Sequence, residues 1–292
     1  MVAKYVGSAH YPASKKHWQP CTPVCKADTL AELNCSSKYC GIDQKGISKL
    51  KYIKKLDCGD NPYINDISHI AHIIEDLDCS GDCGLKQHNI LGLKKIEKIN
   101  CESNGEIVDV NHLSDTLKEL TCGWQACGID QNGMHSSLTL SVLGISELKK
   151  LKVLNCPCNS KINNVNHLST SLEILDCSSD EYNSFCGIDQ NGISELEKLK
   201  VLDCRVNDKI TNVNHLKNTL EELDCSYGCG IDQNGFNQTK IRVLAYYGYE
   251  NGRINNISFL KNTLQYIQCY KDCDLAQIDI SKFVRLIKII EH

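Results

Sequence analysis

Eleven times this chain writes one phrase: an aliphatic residue, two variable residues, an aliphatic, one variable residue, then in ten of the eleven a cysteine. The instances end at Cys35, Cys58, Cys79, Cys101, Cys122, Cys156, Cys177, Cys204, Cys225, Tyr246 and Cys269, and a twelfth without cysteine is Leu286–Ile289. Most copies follow each other at 21–23 residues. A fixed period of that size means stacked supersecondary units, each too small to bury its apolar face alone.

Four copies carry an asparagine three residues after the cysteine: Asn61, Asn104, Asn159 and Asn207. A side-chain amide there can satisfy backbone groups of its own and the next turn, so stacked turns form a ladder. Two kinds of turn alternate. One contains Cys-Gly-Ile-Asp-Gln-Asn-Gly-Ile or close variants, at 40–47, 127–134, 186–193 and 229–236. The other carries the asparagine and then Ile-x-x-Val-Asn-His-Leu, at 107–113, 162–168 and 210–216.

This pattern resembles the leucine-rich-repeat superfamily over residues 29–292. The resemblance implies an α/β solenoid: a leucine-rich-repeat horseshoe of about 12 turns. Its parallel β-sheet would line the concave face, with short helices, 3-10 turns and loops on the convex face. In style the Asn/Ile/Lys/Cys-rich repeats resemble those of amoeba-infecting giant DNA viruses, which implies a viral protein. Residues 1–28, with Pro12, Pro20 and Pro23, read as an irregular N-terminal arm or cap.

The nineteen cysteines suggest a disulfide scaffold only if placement is ignored. The ten in the repeat phrase take the inward position, as does a second column: Cys40, Cys83, Cys127, Cys186, Cys229 and Cys273. Free cysteine packs as a small hydrophobe, so these read as buried thiols in a reducing, cytoplasmic setting. No apolar leader opens the chain and no stretch reaches the ~18 apolar residues of a membrane span. A net charge of −4 gives no reason to expect nucleic-acid or membrane partners.

Several motifs invite chemistry. His10, His17, Cys21 and Cys25 are zinc-ligand types, but their spacing matches no zinc pattern, and packing of Trp18 and the cysteines over the first turn is the reading adopted. Asp43, Asp130, Asp189 and Asp232 resemble half a calcium loop yet lack its glutamate, so a tight bend is expected. His69, His112, His167 and His215 recur every second turn, too far apart to share a metal ion; each is expected to bond a neighbouring turn's carbonyl. A short helix is expected over 194–200. Insertions at 135–145 and 180–184 lengthen two turns. No nucleotide loop, nucleophile elbow or metalloprotease motif is present, so neither enzyme activity nor a cofactor nor a metal is expected.

Function is therefore sought on the sheet face. The residue before each repeat cysteine gives a column that includes Asp57, Asp78, Asp176, Asp203 and Asp224. Stacked carboxylates repel. Flanking Lys54, Lys55, Lys98, Lys118, Lys152, Lys200 and Arg242 would balance them, or the stripe would meet a partner's basic segment. Tyr227, Tyr247, Tyr266 and Tyr270 fall at outward positions near the C-terminal end, with Trp124 on the same face; such aromatics anchor interfaces or shield the last turns. The expected function is a non-enzymatic protein-interaction scaffold using the concave sheet face. The alternative is a structural or virion-associated protein.

Overall fold

In the computed structural model the described residues are 3–6, 29–131, 144–180, 184–247, 254–269, 280–286 and 288–291. The chain divides into two compact units, Met1–Cys122 with Ala126–Leu148, and Gly123–Gln125 with Lys149–His292. The division falls just after the 135–145 insertion, where the repeat period is lengthened.

In the first unit lie β1 (Ala3–Val6), β2 (Leu30–Asn34), β3 (Lys55–Asp57), β4 (Asp76–Asp78), β5 (Lys98–Asn100) and β6 (Glu119–Thr121). All pair in parallel with their chain neighbours. Thus the expected N-terminal arm contributes a strand, β1, while 7–28 lie outside the described residues. In the second unit lie β7 (Val153–Asn155), β8 (Ile174–Asp176), β9 (Val201–Asp203), β10 (Glu222–Asp224), β11 (Val243–Tyr246), β12 (Tyr266–Cys269) and β13 (Lys288–Glu291), again parallel and in chain order. Each unit is a parallel β-solenoid.

The central aliphatic of each strand from β2 to β12 is buried, as are both residues of the repeat phrase that flank it at inward positions: Ile53, Leu56 and Cys58 in one turn, Leu199, Leu202 and Cys204 in another. The sixteen cysteines among the described residues are free, and all but Cys40 are buried. The two cysteine columns interlock. Cys58 Sγ lies 3.6 Å from Cys83 Sγ, and Cys204 Sγ lies 3.4 Å from Cys229 Sγ. The hydrogen bond to the partner thiol and burial together hold Cys58, Cys101 and Cys204 protonated, well above the ordinary thiol range.

Polar side chains then close the turns. Asn61 donates to the carbonyls of Cys35 (2.7 Å) and Ile42 (3.1 Å) and accepts from the Tyr63 N–H. Asn104 and Asn207 repeat that pattern on Cys79 and Leu85, and on Cys177 and Ile188. The ladder is as expected, except that the carbonyls it binds belong to the preceding turn and not to the next. So is the histidine column: His69, His112 and His215 place Nε2 3.0–3.1 Å from the carbonyls of Ile47, Ile90 and Ile193, one turn back. Asp43, Asp189 and Asp232 bond N–H groups of their own bends, at Gly46, Gly192 and Gly235. The glycine of Cys-Gly-Ile at Gly128, Gly187 and Gly230 is dictated by space: a Cβ on Gly187 would sit 2.5 Å from the carbonyl oxygens of Ser160 and Ile162.

One local expectation fails. No helix forms over 194–200; the helical turns sit earlier, at α1 (Gln44–Ile47), α2 (Gln87–Ile90) and the 3-10 turn Asn191–Ile193. Leu196 and Leu199 are buried, but successive bends place them, not a helix. The three-residue spacing came from turn geometry rather than helical periodicity.

Candidate protein-binding face of the sheet

Because side chains alternate along a strand, the residues on either side of each buried central aliphatic share the open face of the sheet. Parallel register then stacks them into rows running across the strands. Two rows matter: the residue just before the central aliphatic and the residue just after it.

The row after it holds the predicted aspartates. Asp57 pairs in register with Asp78, and Asp176 with Asp203, which in turn pairs with Asp224. Each is held by its own exit from the strand. Asp78 Oδ1 accepts from the Ser80 N–H (3.0 Å) and hydroxyl (2.6 Å), and Asp176 Oδ1 accepts from the Ser178 N–H (3.0 Å) and hydroxyl (2.7 Å). Asparagines extend the row in the first unit, Asn34 donating to Asp57 (2.6 Å) and Asn100 to Asp78 (2.8 Å). In the second unit Arg205 binds Asp203 through Nη2 (2.7 Å) and reaches Asp224 through Nε (3.5 Å). Asp176 has no ion pair among the described residues. Burial raises the Asp57, Asp176 and Asp224 carboxyls above the ordinary range, and neighbouring carboxylates add to it.

The expected balance by flanking lysines is corrected. Those cations do not pair with the aspartate row. Lys54 binds Glu75 (2.7 Å), Lys55 binds Asp76 (2.6 Å), Lys118 binds Glu97 (2.7 Å), Lys200 binds Glu173 (2.6 Å) and Arg242 binds Glu221 (2.8 Å); Lys98 pairs with Glu119, and Lys152 with Glu173. Their partners stand on the adjacent strand (Asp76, Glu119) or at the residue just before it (Glu75, Glu97, Glu173, Glu221), within reach across ~4.8 Å, whereas the aspartates are tied down locally.

The row before the central aliphatic was not singled out from sequence. In the first unit it reads Glu32, Lys55, Asp76, Lys98, Glu119, in mutual register. In the second it reads Val153, Ile174, Val201, Glu222, Val243, Tyr266 and, on the last strand, Lys288. The aliphatic members are half-buried and Tyr266 is 36% exposed. The signal lay in the same repeat phrase, one position earlier.

The aromatics divide. Tyr227 stacks on Tyr247, ring centroids 5.7 Å apart, and Tyr247 is only 9% exposed, so it supports the face more than it offers itself. Tyr246, in the cysteine position, is buried. Trp124 is 40% exposed. Tyr270 lies outside the described residues, as do His10, His17, Cys21, Cys25 and most of the 135–145 insertion. Trp124 and Tyr227 share a feature that sequence did not reveal: two residues past the repeat cysteine the backbone turns left-handed, at Ser37, Asp60, Ser103, Trp124, Cys158, Val206 and Tyr227. Non-glycine residues there are held against a local cost.

Among the described residues no group of three His, Cys, Asp or Glu is placed to hold a metal ion, and no helix is long and apolar enough to cross a membrane.

No family model matches the chain, and no curated protein does. Solved structures do. The functional domain of InlJ from Listeria monocytogenes, described as including a cysteine ladder, aligns over 83% of this chain at 16% identity and a TM-score of 0.46. The chain spans 58% of that structure's length. Internalin C2 from Listeria monocytogenes str. 4b F2365 aligns over 91% of this chain and 82% of its own at 16% identity, with a TM-score of 0.34.

Proposed function

We propose that this protein is a non-enzymatic protein-interaction scaffold that engages its partner on the open face of the sheet, through a basic segment of that partner. The observation that carries the reading is the aspartate row. Its carboxylates are half-buried and oriented by local N–H and hydroxyl donors; the flanking lysines pair elsewhere, and one guanidinium, Arg205, serves Asp203 and Asp224, so the row keeps a negative excess for an outside cation. Exposed Tyr266 on that face, and exposed Trp124 in the turn two residues past Cys122, supply the aromatic contacts that interfaces favour. Free, buried thiols throughout the described repeats support a reducing, cytoplasmic setting. The likeness of the repeats to those of giant viruses extends the reading to a viral protein engaging a host component.

The test is capture on immobilised full chain, wild type against the double variant Asp176→Lys, Asp224→Lys, with both forms checked for equal melting temperature. The expected result is a protein retained by wild type, released by salt and absent from the variant. Identical retention by the two would remove the aspartate row from function.

A further inference from the structure

We infer that the open face of the second unit is the seat of an amphipathic helix in the partner, about sixteen residues long, bearing an apolar stripe with Lys or Arg along one flank. This rests on the reading that the open face binds protein, and says what kind of segment it takes.

The seat is the row Val153, Ile174, Val201, Glu222, Val243 and Tyr266, one residue per strand on six successive strands, with Lys288 next in register on β13 marking its end. At ~4.8 Å per strand the row is about 24 Å long. Its register selects the secondary structure of the occupant. A helix brings a side chain back to the same face every ~5.4 Å, so over five steps it drifts only about 3 Å from the row. An extended segment repeats at ~6.7 Å and drifts about 9 Å. A helix laid across the strands keeps apolar contacts along the whole row; a strand does not.

Charge sets its orientation. On one side, two residues along each strand, stand Asp176, Asp203 and Asp224 with Arg205 among them. Three carboxylates against one guanidinium leave a negative flank, and Asp176 is the member without an ion pair among the described residues. On the other side Lys152, Glu173 and Lys200 already pair with each other. The helix that fits therefore has basic residues beside one edge of its stripe only, plus one in the stripe itself opposite Glu222, which interrupts the apolar row and fixes the register. The first unit offers no such seat, since its equivalent row is filled by alternating charges that pair among themselves.

The test uses the full chain and two labelled eighteen-residue peptides of identical composition, followed by fluorescence anisotropy. One places leucines at helical spacing with lysines along one edge; the other scrambles that order. The striped peptide is expected to bind at least tenfold more tightly, and Ile174→Ser or Tyr266→Ser, each with unchanged melting temperature, to lower its affinity about tenfold. Equal binding of the two peptides, lost only in Asp176→Lys, would overturn the helical seat and leave the basic-partner reading standing. Binding of neither peptide would overturn the seat, while the capture experiment would still judge the broader reading. Equal loss in Lys55→Ser and Ile174→Ser would place the site elsewhere and likewise overturn it.

Discussion

The two units are filled in the same way and differ in the face they show. Within each, cysteine and leucine fill the interior, and Asn61, Asn104 and Asn207 bind carbonyls in the same way. On the open face the row before the central aliphatic departs. In the first unit it is Glu32, Lys55, Asp76, Lys98, Glu119, with Lys55 bound to Asp76 and Lys98 to Glu119. In the second it is mostly aliphatic through Val243, then Tyr266 and, on the last strand, Lys288. A row of opposite charges satisfies itself and stays solvated; a row of aliphatics exposes apolar area that only a partner removes from water. A repeat can thus keep one interior and assign different tasks to different turns by changing one exposed position per turn.

The largest effect should come from what the units have in common. Gly128 in the first unit and Gly187 in the second each bring Cα against carbonyls of the preceding turn, and a Cβ would stand 2.5 Å from Ile107 O or Ile162 O. Gly128→Ala and Gly187→Ala should each cost about 3 kcal/mol in denaturant melts, as overpacking against rigid backbone does. A much smaller loss for one would mean that the two interiors are not equivalent.

Next comes the exchange of faces. The triple variant Val153→Lys, Ile174→Glu, Val201→Lys writes the alternating charges of the first unit into the second, ahead of Glu222. Stability should change by less than about 1 kcal/mol, since exposed ion pairs contribute little. Affinity for the striped peptide should fall about a hundredfold. The converse, Lys55→Val with Asp76→Ile and Lys98→Val, should create a second peptide site, visible as a doubled stoichiometry in titration calorimetry. If neither exchange moves binding, the contrast between the faces has no functional content.

Much of this molecule was legible because the period is strict. A residue's place in the repeat phrase tells whether it points in, which is why the buried thiols, the asparagine ladder and the bonds from His69, His112 and His215 to carbonyls could be read in advance. What could not be read depends on neighbours in space rather than on place in the phrase. Lys55 was assigned to the aspartates beside it along the chain, yet its partner Asp76 stands one strand away. Tyr247 is outward by position but covered by Tyr227. The left-handed backbone at Trp124, Val206 and Tyr227 has no residue signature, because the turn imposes it whatever the side chain. Leu196 and Leu199 mimicked a helix because successive bends can reproduce its spacing.

A smaller effect separates the two aspartate rows by pH. Burial raises the Asp176 carboxyl. A carboxyl whose folded pKa lies above its unfolded value opposes folding at neutral pH, and that cost is relieved as pH falls through the folded value toward the unfolded one. Asp176→Asn keeps an acceptor for the Ser178 N–H and hydroxyl and removes the charge. It should stabilise the protein at pH 7 by up to about 1 kcal/mol, screened by partial exposure, with the gain vanishing toward pH 4. Asp57 is also raised by burial, but it accepts from both the Asn34 amide and the Gly59 N–H. In Asp57→Asn an amide donor must face one of those donors, so this variant should gain nothing. Thermal melts across pH on both variants would show whether the rows differ as their partners imply.

The smallest effect concerns the charged row itself. Lys55 binds Asp76 at 2.6 Å, with Glu32 in register on its other side, and its ammonium is held above the ordinary lysine range by the hydrogen bond to Asp76. Both side chains of the pair are substantially exposed. Exposed pairs rarely contribute more than about 1 kcal/mol, and side-chain entropy offsets part of that. Lys55→Met retains the aliphatic stem and should destabilise by about 0.5 kcal/mol at low salt. The difference should shrink toward zero in 1 M salt, where the screening length is ~3 Å. Striped-peptide binding should not change, because the seat lies in the other unit. A loss above about 2 kcal/mol, or one that persists in high salt, would mean that the charged row acts as one cooperative lattice. The first unit's face would then be a structural element rather than a solvated surface, and the comparison between the units would be one of rigid support against binding face.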